Sequence, residues 1–245
     1  MTPFWISAFL DVPATDHARA ADFWSAVTGM SPSEPRGDRG EFTTLVPEEG
    51  DGFLRMQRVG DGLARLHLDL HVEEPRAAAD AAIARGAQEL AELPGYVVLT
   101  SPGGLPFCFV GHPAGRRPPA RTWTSGQSSL VDQVCLDIAP AAYDEELAFW
   151  AATTGFPLDA HQRHPEFRLL EGPDDQPLQL LVQRLDDGDG PTTAHFDLGT
   201  SDGGRSAEVA RHEALGATVL REHEHWTVLN DPAGMTYCIT DHPVR

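Results

Sequence analysis

Two histidine–aspartate pairs recur in nearly the same words: His67-Leu68-Asp69-Leu70 and His195-Phe196-Asp197-Leu198. An imidazole titrates near neutrality, and a carboxylate two residues along an extended chain lies on its face, about 6.6 Å away at ~3.3 Å per residue. Each pair is a candidate for general acid–base work or for holding a polar ligand, with His67 and His195 as the proton carriers. The competing reading is structural, with His and Asp bonding neighbouring strands or helix N-termini. Cys108, Cys135 and Cys238 add sulfur donors, and Gln57, Gln133 and Gln183 add amides. His161 and His164 are three apart, and His223 and His225 are two apart in a predicted strand. The first-half equivalents of the latter pair are Leu93 and Gly95, so these imidazoles read as solvated surface groups. His212 reads as an exposed helix position. There is no Gly-x-Ser-x-Gly, phosphate loop or Cys-x-x-Cys, which leaves nucleophilic hydrolysis, nucleotide use and thiol–disulfide chemistry without support.

The elements that must position these groups also occur twice. Phe23-Trp24 followed by Thr28-Gly29 returns as Phe149-Trp150 followed by Thr154-Gly155, an offset of 149 − 23 = 126. Leu54–Arg58 matches Leu180–Arg184, and Pro106–Phe109 matches Thr236–Ile239 at an offset of 238 − 108 = 130. A period near half the chain means two similar domains and not a solenoid. Each half reads strand, helix, two strands, then strand, helix, two strands. The first helix follows Thr15 or Asp16 as N-cap, buries Ala20, Phe23, Trp24 and Val27, and stops at Gly29. Later helices are predicted from Pro75 to before Gly86, over 142–153 and over 205–215. The stretch GHPAGRRPPARTWTSGQSS reads as a linker. The expected boundaries are 1–115, a linker at 116–127, and 128–245.

Along 133–138, Val134, Leu136 and Ile138 form an apolar face and leave Gln133, Cys135 and Asp137 on the other. Ala194, Phe196 and Leu198 likewise oppose His195 and Asp197, and Leu66, Leu68 and Leu70 oppose His67, Asp69 and His71. Trp5, Phe9, Phe107, Phe109, Trp226 and Tyr237 offer aromatic surface for a small-molecule site.

At 245 residues the chain has room for two cores. It carries 18 Lys+Arg, all arginine, against 37 Asp+Glu, a net charge of −19. Such a surface repels phosphate backbones and anionic headgroups, so neither nucleic acid nor a membrane is expected as a partner. No apolar run approaches the roughly 20 residues that cross a bilayer, and three cysteines do not form a disulfide framework. A cytoplasmic protein is expected.

The ordered set of Phe-Trp, Thr-Gly, His-x-Asp-Leu, Gln-Arg at 57–58 and 183–184, Phe107-Cys108, Tyr237-Cys238 and the turn Asn230-Asp231-Pro232-Ala233-Gly234 resembles the vicinal oxygen chelate superfamily. That superfamily includes glyoxalase I, extradiol dioxygenases and bleomycin-resistance proteins, and within it the chain is similar to actinobacterial tandem glyoxalase-like proteins. The resemblance implies an α+β fold of four βαβββ modules, forming two curled mixed sheets with helices outside and a ligand trough inside. It also implies ligand positions at Ser7, Gln57, His67 and Cys108 in the first half, and at Gln133, Gln183, His195 and Cys238 in the second. Neither set has the carboxylates a hard octahedral ion demands, so no metal and no cofactor are assigned. Gln133, Cys135, His195 and Cys238 could offer zinc N and S donors. The expected ligand-binding residues are Ser7, Gln57, His67, Asp69, Cys108, Gln133, Cys135, Gln183, His195, Asp197 and Cys238. The leading expectation is a monomeric protein that binds or sequesters a metabolite or antibiotic. The alternatives are a metal-free lyase, isomerase or cyclase using His195 or His67, and a metal-dependent glyoxalase or dioxygenase.

Overall fold

The computed structural model describes residues 2–159 and 164–244. In the first half come β1 (Trp5–Pro13), α1 (His17–Thr28), β2 (Ser31–Pro32), β3 (Phe42–Val46), β4 (Leu54–Val59), β5 (Arg65–His71), α2 (Pro75–Ile83), β6 (Gln88–Leu93), β7 (Tyr96–Thr100) and β8 (Pro106–Val110). Then follow β9 (Arg121–Thr122), β10 (Ser128–Ile138), α3 (Tyr143–Thr154), β11 (Phe167–Leu170), β12 (Gln179–Arg184), β13 (Thr193–Thr200), α4 (Arg205–Ala214), β14 (Thr218–Glu222), β15 (Trp226–Asn230) and β16 (Thr236–Thr240). The two sheets run β2-β3-β4-β1-β5-β8-β7-β6 and β11-β12-β10-β13-β16-β15-β14, with β9 beside β10. Apart from β2 and β9 the orders coincide, as a duplication requires. Both sheets are mixed, because β5 runs parallel to β8 and β13 parallel to β16.

The repeated Thr-Gly pairs are helix stops, and they work identically. Gly29 and Gly155 both take φ +69°, a left-handed conformation that spares glycine any Cβ strain. Their amides bond Ser25 O and Ala151 O, each at 2.9 Å. The Thr28 and Thr154 hydroxyls donate back to Trp24 O and Trp150 O at 2.6 and 2.7 Å, and accept from Met30 N and Phe156 N, each at 3.2 Å. Helix α1 buries Ala20, Phe23, Trp24 and Val27, the face its period selects. Asp16 is its N-cap, but without a side-chain capping bond.

The chain divides into two compact units. Unit 1 holds residues 1–8, 66–115 and 134–194, and unit 2 holds 9–65, 116–133 and 195–245. Each unit thus joins one module from each repeat: β5–β8 and α2 with α3, β11 and β12 in unit 1; α1 and β2–β4 with β13–β16 and α4 in unit 2.

In unit 1 the Trp150 indole donates to Glu146 Oε2 at 3.0 Å, and the Ser101 hydroxyl and Gly103 amide complete that carboxylate's shell at 2.9 and 2.7 Å. Gly103 is required there, since a Cβ would stand 2.3 Å from Thr192 Oγ1 and 2.8 Å from Glu146 Cδ. Phe107 meets Phe149 and Trp150 edge-on at 5.9 and 5.3 Å.

In unit 2 the Trp24 indole donates to Asp231 Oδ2 at 2.9 Å. Tyr237 packs on Trp24 and Phe23, with ring centroids 5.3 and 6.0 Å apart. A buried polar cluster centres on Glu208, which accepts from Ser129 Oγ at 2.6 Å, Gln127 Nε2 at 3.0 Å and Arg211 at 2.6 and 3.1 Å. His212 lies between Glu208 Oε1 at 3.2 Å and the Tyr237 hydroxyl at 2.9 Å. His212 Nε2 thus faces both the Glu208 carboxylate and, at 3.1 Å, the Arg211 guanidinium, while Nδ1 faces the tyrosine hydroxyl.

Several expectations are corrected. His212 is 0% exposed, because α4 turns Glu208, Val209 and His212 into unit 2. His223 and His225 lie between β14 and β15, and His223 stacks on Trp226 at 4.4 Å. Trp5, Phe9, Phe107, Phe109 and Tyr237 are buried core side chains, so they supply no open aromatic wall. Within the glycine- and proline-rich stretch β9 pairs with β10, and Arg116 N bonds Asp51 Oδ2 at 2.9 Å. Of the His161–His164 pair, His161 lies outside the described residues.

Candidate functional site

Strand register brings together side chains far apart in sequence. His67 and Asp69 share a face of β5, and Asp69 stands opposite Cys108 of the parallel β8. The second repeat reproduces this, with Asp197 opposite Cys238. In unit 1 the ligand atoms of His67, Asp69 and Cys108 all lie within 4.8 Å of one another, and His67 Nε2 is 3.9 Å from Asp69 Oδ1. In unit 2 His195 Nε2 is 3.4 Å from Asp197 Oδ1 and 3.6 Å from Cys238 Sγ. Because carboxylate and thiol converge on one ring nitrogen, the trio does not form a relay through the imidazole. In unit 1 the three donors are mutually close, a compact set of one nitrogen, one oxygen and one sulfur.

Unit 2 adds a fourth member. Gln133 Nε2 donates to Asp197 Oδ2 at 2.6 Å, which fixes the carboxylate and helps repay its burial at 3% exposure. Its repeat-1 equivalent, Ser7, bonds His71 Nε2 at 2.9 Å, and His71 Nδ1 bonds His112 O at 2.8 Å. The Ser7–His71 pair thus ties β1 to β5 and to the segment after β8. Gln57 sits half-buried on β4 in unit 2. Cys135 donates to Gln183 Oε1 at 3.7 Å inside unit 1. The side chains of His67 and His195 are 11% and 12% exposed, recessed but still reachable.

The profile of the glyoxalase-like domain family matches residues 7–110 and 133–240. The chain belongs to that family. Among curated proteins no sequence match is found. Solved structures agree on the fold. A mutant 4-hydroxymandelate synthase from Streptomyces coelicolor is similar at TM-score 0.65 and 15% identity, covering 100% of this chain and 95% of that one. A Mn(II)-bound glyoxalase from Novosphingobium aromaticivorans is similar at 0.64 and 15%, covering 98% and 81%. BphC, a halotolerant catechol dioxygenase, is similar at 0.63 and 15%, covering 98% and 87%.

Does a metal of the kind found in such relatives suit these residues? One imidazole, one carboxylate and one thiol per cluster form a mixed N, O and S set, which suits a borderline ion such as zinc and suits magnesium or manganese poorly. His67, Asp69 and Cys108 of unit 1 would hold such an ion. It would act as a Lewis acid toward a ligand oxygen.

The polar cluster around Glu208 was missed as a buried feature. Its signal was the spacing Glu208, Arg211 and His212, three and four apart on one helix face. Among the described residues no helix is long and apolar enough to cross a membrane.

Proposed function

We propose that the protein binds a small polar metabolite or antibiotic, without a resident metal, at the recessed cluster of Gln133, His195, Asp197 and Cys238, with His67, Asp69 and Cys108 as the repeat-1 counterpart. The observation that carries this reading is the 2.6 Å bond from Gln133 to Asp197 beside the 3.4 Å approach of His195. It orients an acceptor and a proton-carrying ring toward the same point. Such a pair recognises a ligand hydroxyl or an enolisable carbonyl, and a turnover arm would use His195 as acid–base. In this reading the protein acts as a cytoplasmic monomer.

The test is a thermal-shift screen of vicinal diols, α-keto acids, thiol conjugates and aromatic antibiotics, followed by calorimetry. His195→Ala should weaken a hit roughly 5- to 150-fold, the equivalent of about 1–3 kcal/mol. His67→Ala should weaken it less, and His225→Ala, which removes an exposed imidazole, should leave it unchanged. A hit indifferent to both His67 and His195 removes the assignment.

The convergence of His67, Asp69 and Cys108 within 4.8 Å favours one second reading, a borderline divalent ion held by those three residues. Elemental analysis separates the two. The first reading expects no stoichiometric Mg, Mn, Fe, Ni or Zn, whereas the second expects zinc that is lost on Cys108→Ser.

A further inference from the structure

The cysteines of the two units stand in different chemical settings, and one of them has the neighbours of a nucleophile. Cys135 is 1% exposed and donates to Gln183 Oε1 inside unit 1. In unit 2 the parallel register of β13 and β16 sets Cys238 beside Asp197. Its Sγ is 3.6 Å from His195 Nε2, and that same nitrogen is 3.4 Å from Asp197 Oδ1. A thiol attacks carbon as the thiolate, and an adjacent imidazole is a base that can take the proton. The imidazolium so formed needs an anion beside it. Asp197 supplies one already held in place, since Gln133 Nε2 bonds its other oxygen at 2.6 Å. Nucleophile, base, carboxylate and anchoring amide all belong to unit 2. Cys238 keeps 6% of its surface exposed and the His195 side chain 12%, so the pair is recessed without being sealed.

We propose that Cys238 is a nucleophilic thiol that adds covalently to small, uncharged α,β-unsaturated carbonyl compounds, which rests on the reading of this cluster as the ligand site and names a class of ligand for it. Sulfur is soft and polarizable, so its match is a soft carbon such as an activated alkene. The recessed position favours a small molecule, and the charge of −19 disfavours an anionic one. The step is an addition that consumes no other reactant. The Cys238 proton passes to His195 Nε2, sulfur bonds the β-carbon, and the alkene π pair moves toward the carbonyl as an enolate. The imidazolium then gives the proton to the α-carbon, leaving a thioether and a neutral His195. One S–H bond and one C=C π bond are lost, and one C–S and one C–H bond are formed.

The experiment adds N-ethylmaleimide, a neutral member of this class, to the full-length protein and follows the adduct at each cysteine in time by peptide mass spectrometry. Cys238 should be modified about tenfold or more faster than Cys135. Exposure alone would give the same order, so His195→Ala decides. Removing the ring opens the approach to sulfur and would speed labelling if access were the only factor. Loss of the base should instead slow labelling of Cys238 about tenfold or more and leave Cys135 unchanged. Should His195→Ala not fold, His195→Gln, which keeps much of the bulk, carries the same expectation. Labelling of Cys238 no faster than that of Cys135, or equal or faster in the His195 variant, overturns the proposal. A non-covalent hit that depends on His195 while Cys238 stays unreactive overturns the covalent step and leaves the binding site standing.

Discussion

Units 1 and 2 solve the same problem with the carboxylate on opposite sides. In both, the indole of the repeated Phe-Trp pair must bury its N–H and find an acceptor. Unit 2 takes it from the turn, where Asp231 also accepts from the amides of Ala233 and Met235, each at 2.8 Å, and α1 has Ala20. Unit 1 has Ser101 at the turn and takes the carboxylate from α3, where Glu146 occupies the position equivalent to Ala20. The duplicated scaffold conserves the need for an anion and not its address. The α2/α4 layer differs more: alanines and Phe107 in unit 1 replace the Glu208, Arg211, His212 and Tyr237 cluster of unit 2. One half is held by dispersion at that layer, the other by a satisfied polar network.

The sharpest break of this comparison is Glu208→Ala. It leaves Arg211 and His212 buried without their shared anion and should destabilise unit 2 by about 3–5 kcal/mol, measured by denaturant unfolding. Ala78→Ser at the equivalent position should cost about 1 kcal/mol or less. A small loss for Glu208→Ala would mean the network contributes little.

Next in size is the exchange of carboxylates. Asp231→Ser alone should cost about 2–3 kcal/mol, because Trp24 Nε1 and two amides lose a charged acceptor. Adding Ala20→Glu converts unit 2 to the unit 1 pattern and should return at least about 1 kcal/mol, read as the coupling in a double-mutant cycle. Strict additivity would show that the two addresses are not interchangeable.

A smaller effect is expected with pH. Burial, before any other cause, holds His212 below its ordinary pKa of 6.5, against the upward pull of Glu208. Burial raises the Glu208 carboxyl, but bonds from His212, Arg211, Ser129 and Gln127 outweigh it and hold that group far below its ordinary 4.5. For His212 the unfolded chain takes up the proton first, so stability falls as pH drops below about 6.5. For Glu208, stability present above about 4.5 is lost only as pH falls further. Burial raises Asp231, which acts in the opposite sense, but that group is common to the variants compared. Between pH 7 and 5 the unfolding free energy of the wild type should therefore drop, by up to about 1.4 kcal/mol per pH unit, and that of His212→Gln should drop less. Equal slopes would exclude His212 as the source.

The smallest effect is an equality. Thr28→Val and Thr154→Val remove the same two bonds at the same helix stop, so each should cost about 1 kcal/mol and the two should agree within about 0.5 kcal/mol. Unequal values would locate a difference between the units at the helix ends.

The halves, their strand order and the helix stops were legible because each leaves a local mark: Thr-Gly at the end of a helical period, or alternation along a strand. Strands β6 and β14 were not predicted, since QELAEL and TVLRE carry no apolar face. They are edge strands, largely exposed along their length, and each has a bulge. The inward faces of His67, Asp69, His195 and Asp197 were readable from alternation, but the lateral approach of Cys108 and Cys238 needs the parallel register, which no local pattern encodes. His212 was misread because a helix of sequence RSAEVARHEA is polar all round, and only its partners on other elements reveal which polar face is buried. Which module packs with which is likewise invisible in an offset, although the exchange Ala20/Glu146 with Asp231/Ser101 is its compensating trace.

The assembly of each compact unit from both repeats also sets an order in time. The last residue unit 1 requires is 194, whereas unit 2 closes an indole bond between Trp24 and Asp231, 207 positions apart. On a ribosome adding about 5–20 residues per second, unit 1 is complete while the α4 segment is still unsynthesised, and the α1 segment must wait with Phe23 and Trp24 uncovered. The apolar face of α1, with the unit 2 part of β1 before it, thus stays uncovered on the nascent chain until the second repeat emerges.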